Sequence, residues 1–225
     1  PRQTAQDDFY AITAEIYLRE NFHIDTQSTL YIVAFPMGAW IGGLFTYEAL
    51  HKVAEKGYKL SIITPGINKV EIIKAITALA PEFDQIIIGS YAPFLTDVLN
   101  DGKNQGIDWQ AMNAKFVFSA ESFSEEFRDY VATTVGVKNI YTDTLNHYGT
   151  VDLGTMAHEA PYSILIRRLA LKNKDLYCEL FGSDKIATLC QYDPNLFFFE
   201  SIDGRLLCSS YSGYPLCRYD LKDRG

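Results

Sequence analysis

Side chains able to do chemistry gather in three short segments of this chain. The first is Ser119-Ala120-Glu121-Ser122-Phe123-Ser124, directly behind the apolar run Lys115-Phe116-Val117-Phe118. A carboxylate just past a buried strand can receive a ligand's donors, and Glu121 stands there. It is equally well placed as a solvated acid beside the N-terminus of a following helix. The second segment is Asn146-His147-Tyr148-Gly149-Thr150-Val151-Asp152. His147, with His158 behind it, has the chemistry for acid–base work or a metal. Lone histidines are more often hydrogen-bonded parts of the fold, and that role is the expectation here. Ser-His-Asp catalysis has no G-x-S-x-G elbow to support it. The third segment, Pro36-Met37-Gly38-Ala39-Trp40-Ile41-Gly42-Gly43, is neither G-x-G-x-x-G nor a P-loop. Its glycines suit close helix packing or the approach of a ligand.

These segments need elements to hold them. Thr4 is placed to cap a helix with Asp7 as its acidic partner, and Phe9, Ile12, Ile16 and Tyr17 supply an apolar face. Leu30 to Phe35 is a continuous apolar run of the buried-strand kind. A helix over about Ala39 to Lys56 follows, with Gly57 at its left-handed end. Leu60 to Ile63 is the next strand, and Asn68 then caps a helix that Pro81 stops. Strands at Gln85–Ile88, Lys115–Ser119 and Asn139–Tyr141 alternate with helices at Pro93–Asn100 and Glu125–Val135, the last capped by Ser124 and closed by Gly136. The alternation predicts an α/β fold with a mainly parallel, doubly wound sheet. After about Thr142 the rhythm changes. A helix over Tyr162–Lys172 precedes β-rich runs at Ile186–Tyr192, Leu196–Ile202 and Leu206–Ser210 with no helix between, predicting an antiparallel β-rich portion. Asp203-Gly204 reads as a type I′ hairpin turn, because both central residues need positive φ. In a doubly wound sheet, ligands collect at the carboxyl ends of the strands, which is where the chemistry-bearing loops fall.

Composition narrows the classes of function. The 225 residues are 48% hydrophobic, 14% aromatic and 21% charged, too apolar for a disordered chain. Lys plus Arg number 20 against 28 Asp plus Glu, a net charge of -8, and no basic run offsets that excess. No nucleic-acid partner is expected, since duplex binding needs a cationic face. The most apolar stretch, Tyr31 to Phe45, is broken by Pro36 and three glycines and is too short for a bilayer, so no membrane partner is expected either. Cys178, Cys190, Cys208 and Cys217 form no C-x-x-C pair and read as buried thiols of a reducing, cytoplasmic protein. Both ends read as interior chain. A protein cut there would expose apolar surface, so a homodimer is an expected partner state.

Three blocks together resemble the acyl-adenylate-forming (AMP-dependent) synthetases and ligases, in particular the phenylacetate–CoA ligase branch. Ser119-Ala120-Glu121-Ser122-Phe123-Ser124-Glu125-Glu126-Phe127-Arg128 is similar to that branch's G-A-E-P-[WL]-T-E-E-x-R. Tyr148-Gly149-Thr150-Val151-Asp152 is similar to Y-G-x-[ST]-E, and Pro215-Leu216-Cys217-Arg218-Tyr219-Asp220-Leu221-Lys222-Asp223 to P-L-[IL]-R-Y-x-[TI]-G-D. Pro194 to Glu200, with Asp203-Gly204, is similar to the strand pair before that third block. The likeness runs from about Thr4 to Gly225.

Such a resemblance implies that a carboxylic acid attacks the α-phosphate of ATP and that the acyl-adenylate is then captured by coenzyme A. It implies ATP or AMP, Mg2+ and coenzyme A as cofactors and a small-molecule carboxylic acid as substrate. It places Ser119, Ala120, Glu121 and Ser122 along the adenine, Tyr148 on its face with Gly149 allowing close approach, Asp223 on the ribose hydroxyls and Asp152 on the metal. No catalytic residue is implied within the chain. Stacking needs the ring of Tyr148 and not its hydroxyl, so Tyr148→Phe is expected to be silent. Two positions depart from the pattern: Val151 lacks the usual hydroxyl for the α-phosphate, and Lys222 stands where glycine is usual. The family's phosphate loop would precede Pro1 and its lysine-bearing domain would follow Gly225. The expected organisation is thus a parallel α/β subdomain over 1–142 and a β-rich remainder of the same adenylation domain over 143–225, inactive alone. Two other outcomes stay open: a nucleotide- or acyl-binding module without turnover, and an adenylase with a protein or amine acceptor. Trp40, Ile41 and Tyr47 either shape an apolar acyl pocket or fill the core.

Overall fold

In a computed structural model the described residues are 4–182, 187–211 and 215–225. Seven strands form one sheet and three form another. The first half is built from α1 (Thr4–Glu20), β1 (Thr29–Ala34), α2 (Gly42–Ala54), β2 (Leu60–Ile63), α3 (Lys69–Leu79), β3 (Gln85–Ser90), α4 (Ala92–Asn104) and β4 (Ala114–Phe118). Then come α5 (Glu125–Val135), α6 (Ile140–Asp143), β5 (Thr144–Thr150), β6 (Gly154–His158), α7 (Pro161–Leu171), α8 (Lys174–Phe181) and β7 (Gln191–Tyr192). The chain ends in β8 (Phe197–Ile202), β9 (Arg205–Tyr211) and β10 (Pro215–Asp220).

The large sheet has the order β2-β1-β3-β4-β5-β6-β7. β1 through β5 pair in parallel, and β6 and β7 join antiparallel. Successive side chains of a strand point to opposite faces, and here both faces are covered. Leu30, Ile32 and Ala34 of β1 enter a core with α3, α4 and α5, whereas Tyr31, Val33 and Phe35 enter one with α1 and α2. This is the mainly parallel, doubly wound α/β sheet expected, and its strand order reverses between β1 and β3. The antiparallel portion is also present: β8, β9 and β10 form a separate three-stranded sheet around Leu153, Met156, Phe197, Cys208 and Leu221. Asp203 and Gly204 both have positive φ, 53° and 71°, as a type I′ turn requires.

Several local expectations are corrected. Asn139–Tyr141 is no strand. The Asn139 side chain accepts from the Tyr141 amide and the Asp143 carboxylate accepts from the Asn139 amide, closing a helical turn. The strand starts at Thr144, so the parallel sheet continues past residue 142 and the segment 146–150 is strand rather than loop. Helix α8 lies between the helix expected at 162–172 and the first β-rich run, where no element was expected. The Asn173 side chain starts it by accepting from the Leu176 amide, and Gly182 ends it at φ 58°. Of the run 186–192 only Gln191 and Tyr192 pair as a strand, and Ile186 lies outside the described residues.

On α1, Ile12 and Ile16 face solvent, whereas Tyr10, Ala14, Tyr17 and Leu18 make the buried stripe at helical spacing. The helix from Ala39 begins only at Gly42, which leaves Trp40 74% exposed in the loop and therefore outside the core. Cys178 and Cys217 are exposed, correcting the reading of four buried thiols: one lies on the outer side of α8 and the other on β10. No helix among the described residues is long and apolar enough to cross a membrane.

Candidate functional site

The β4–α5 connection is built from both ends inward. Phe118, fully buried, ends β4, and the chain leaves the sheet through Ser119 into Ala120, which adopts the left-handed φ of 75°. Ala120, Glu121 and Ser122 are exposed. Phe123 then turns back into the core, its ring 4.7 Å from that of Phe118 and 5.4 Å from that of Phe127. Ser124 starts α5 as expected, its hydroxyl accepting from the Phe127 amide.

Beneath this loop lies a group of buried charges that reading the sequence did not single out. The Arg128 guanidinium, with no exposed surface, donates from Nη2 to both oxygens of Glu159 at 2.8 Å. Its Nη1 donates to the Thr144 carbonyl and hydroxyl, and its Nε to Glu125 Oε2. Arg167, 1% exposed, donates from Nη1 to Glu125 Oε1 at 2.5 Å and from Nη2 to the Phe123 carbonyl at 2.6 Å. Burial pushes the Glu159 carboxyl above its usual range, against the pull of Arg128 and Arg167. Glu125 and Arg128 lay within the first motif at i, i+3. Glu159 and Arg167 had only one signal, charged residues inside the long apolar stretch from Leu153 to Leu171.

The neighbouring strand brings the second segment alongside. Phe118 of β4 is in register with Asn146 of β5, so the 119–122 loop and Tyr148 leave adjacent strands at the same end of the sheet. Asn146 is buried, and its side-chain oxygen has no hydrogen-bond partner among the described residues. His147 points to the opposite face, its ring 4.5 Å from Tyr17, and His158 sits opposite it on β6. Burial holds both imidazoles below their ordinary pKa. Both histidines are buried in the core; His158 is hydrogen-bonded as expected, through Nδ1 and the Glu159 carbonyl, whereas His147 Nε2 has no partner among the described residues.

Tyr148 is half-buried against the core of the small sheet. Its hydroxyl donates to Asp223 Oδ2 at 2.7 Å, across 75 residues of sequence. Burial and then the Asp223 carboxylate hold this phenol well above its usual pKa, so it is the donor at neutral pH. A second pair repeats the arrangement: the Tyr219 hydroxyl donates to Asp152 Oδ2 at 2.6 Å. Gln6 of α1 donates to the Asp152 carbonyl. The two pairs tie the β5–β6 hairpin to the end of β10.

The other marked positions have physical explanations of their own. Gly149 lies against β6, where an added Cβ would run into the Gly154 carbonyl oxygen and stand 2.9 Å from Thr155 Cα. That contact requires glycine before any ligand is considered. Lys222, in the place of the usual glycine, adopts φ 65° in the turn before Asp223. Val151 is 67% exposed in the β5–β6 turn and offers no hydroxyl. Asp152 is exposed, and no group of three metal-binding side chains occurs among the described residues. A single carboxylate suits Mg2+ only when substrate phosphates and water supply the other oxygens.

For a nucleotide the donor set fits. A half-buried aromatic ring, an exposed carboxylate beside it and an unpartnered buried amide oxygen are gathered at one end of a parallel sheet. Trp40 is 74% exposed in the loop after β1, and Tyr47, on α2, stacks on His51.

No protein-family model matches the chain, and no curated protein sequence matches it. Solved structures do share its fold. A 2-hydroxyisobutyryl-CoA ligase in an open conformation, in complex with 2-HIB-AMP and CoA, superposes with a TM-score of 0.62 at 12% identity, over 95% of this chain and 46% of that one. The same ligase in the postadenylation state, with R3-HIB-AMP, gives 0.63 at 11% identity, over 95% and 42%. Coronafacic acid ligase from Pectobacterium brasiliense gives 0.55 at 10% identity, over 94% and 36%. The chain therefore has the fold of a part of these acid ligases and spans less than half the length of each.

Proposed function

We propose that this chain carries the nucleotide site of an AMP-forming acid–thiol ligase of the phenylacetate–CoA ligase-like branch. The observation that carries this reading is the Tyr148–Asp223 hydrogen bond. Two residues that the motifs assign to the adenine and ribose of one nucleotide, far apart in sequence, meet at the strand end where the adenine loop also emerges. In this reading Ser119 to Ser122 line the adenine edge and the Tyr148 ring covers its face. The Asp223 carboxylate, with two acceptor oxygens, takes the ribose hydroxyls. Asp152 would hold Mg2+ together with the ATP phosphates, and the ion would supply charge neutralisation at the α-phosphate. The substrate is a small carboxylic acid and the acceptor is coenzyme A, in the cytoplasm, with self-association as a homodimer.

Within the chain no side chain acts as a nucleophile, because phosphoryl-centred chemistry needs positioning and charge stabilisation rather than a covalent protein intermediate. The test is calorimetric titration of AMP and ATP into the chain. It is paired with acid-dependent ATP–pyrophosphate exchange in the longest natural protein that contains the chain. Binding that is lost in Asp223→Ala, with exchange present, supports the ligase. Equal binding by wild type and by Asp223→Ala and Tyr148→Ala variants rejects the site. A second reading, nucleotide binding without turnover, is favoured by Val151, which offers no hydroxyl, and by Lys222 in the place of the usual glycine. Binding without exchange, unchanged by Val151→Thr, would select it.

A further inference from the structure

Two arginines and two glutamates are buried under a four-residue loop, an arrangement that is costly unless it serves geometry. Removing such ions from water consumes most of what their attraction returns, and apolar side chains of similar volume would fill the same space without that cost. What the ions add is directional. A guanidinium is a rigid planar fork whose donors fix the atoms they bind. Arg167 spends one arm on Glu125 Oε1 and the other on the backbone carbonyl of Phe123, while its Nε has no partner among the described residues. The Arg128 guanidinium carbon lies 4.9 Å from the centre of the Phe123 ring. Phe123 is thus held by its carbonyl and by its ring. Phe118 holds the other end of the loop in the sheet, and between them Ala120 is kept at a φ that alanine disfavours. Such a backbone persists only where its surroundings over-determine it.

We propose that Arg167 is a positioning residue, which fixes the shape of the Ser119–Ser122 loop through the Phe123 carbonyl and so presents a preformed edge to the nucleotide. The nucleotide clause rests on the function proposed above; the loop clause does not. The neighbour Arg168 provides the comparison, since it also donates to Glu125, at Oε2, but reaches Asp129 instead of the loop.

The experiment measures backbone 15N order parameters and AMP affinity in the chain and in Arg167→Lys and Arg168→Lys. Lysine keeps the charge and loses the fork. In wild type, residues 120–122 are expected in the rigid range, about 0.85. In Arg167→Lys they fall below about 0.6 while β4 stays rigid, and AMP affinity drops at least tenfold. Arg168→Lys leaves both unchanged. Should Arg167→Lys not fold, the double variant Arg167→Gln/Glu125→Gln removes one charge of each sign, and the same loss of loop order is expected. The proposal is overturned if the wild-type loop is already mobile, if the loop keeps its order in the Arg167 variants, or if Arg168→Lys loosens it equally. If no nucleotide binds to wild type, the proposed function fails, and the order parameters still decide the role of Arg167.

Discussion

The hydroxyl of Tyr148 lies 2.7 Å from Asp223 Oδ2, on the same carboxylate proposed to receive the ribose. A ring that merely stacked would tolerate loss of its hydroxyl, and Tyr148→Phe would be silent. The bond changes that expectation. The phenol takes one of the carboxylate's roughly four acceptor sites, so removing it frees that site for the ribose hydroxyls. Tyr148→Phe should tighten AMP binding several-fold. Asp223→Ala removes the acceptor altogether and should weaken it at least tenfold, the value of about 1.5–3 kcal/mol for hydrogen bonds to a charged group. Calorimetry on the two variants checks this. Unchanged affinity in Tyr148→Phe would show that the hydroxyl and the ribose do not share Asp223.

Gly149 separates structural need from ligand access. Its Cα faces the backbone of Gly154 and Thr155 across the hairpin, and backbone cannot move aside as a flexible side chain can. Gly149→Ala should therefore destabilise the chain by about 1–3 kcal/mol through overpacking, read as a lower urea midpoint at unchanged slope. A glycine kept only for nucleotide approach would instead give an alanine variant of full stability with weakened AMP binding.

Much of this architecture was legible because its signals are local. Leu30–Phe35 is apolar throughout since both of its faces are covered, and Asp203-Gly204 can turn only one way. The misreadings came where local and tertiary preferences diverge. Ile12 and Ile16 look like a core face, yet the sheet selected the stripe of Tyr10, Ala14 and Tyr17. Asn139 to Tyr141 has strand-like composition, yet side-chain caps from Asn139 and Asp143 close a turn instead. At the site, the motifs named Tyr148, Asp152 and Asp223 but could not show that tyrosines hold both acids. In the Glu125–Arg128–Glu159–Arg167 group only Glu125 and Arg128 stand at a helical spacing, and no spacing rule connects that pair to Glu159 and Arg167.

Lys222 tests a departure from the motif on stability alone. A side chain at φ 65° costs about 1–2 kcal/mol relative to glycine, while glycine costs about 0.5–1 kcal/mol in unfolded-chain entropy. The Lys222 ammonium pairs with Asp220 at 3.1 Å, but the side chain is 83% exposed and the pair contributes little. Lys222→Gly should therefore stabilise the chain by about 0.5–1 kcal/mol, raising its urea midpoint. A lower midpoint would mean that the lysine makes a contact worth more than its strained backbone.

His147 and His158 make the fold sensitive to acid. Burial holds both imidazoles below their ordinary value of about 6.5, and each lies opposite the other across β5 and β6. A depressed folded pKa means that the unfolded chain binds the proton more readily. The stability these groups contribute is thus complete above about pH 6.5 and is lost as the pH falls below it, by at most about 1.4 kcal/mol per pH unit for each imidazole. Glu159 works the other way: its raised carboxyl favours the folded state as it protonates, and acts toward the lower end of the range. Comparing wild type with His147→Leu cancels the Glu159 contribution, since both chains retain it. Leucine has no proton to bind, so the advantage of wild type over the variant should change little between pH 7.5 and 6.5 and shrink clearly by pH 5.5 in urea melts. The same difference at all three pH values would mean that His147 binds its proton equally well in the folded and unfolded chain, and burial would then not set its charge.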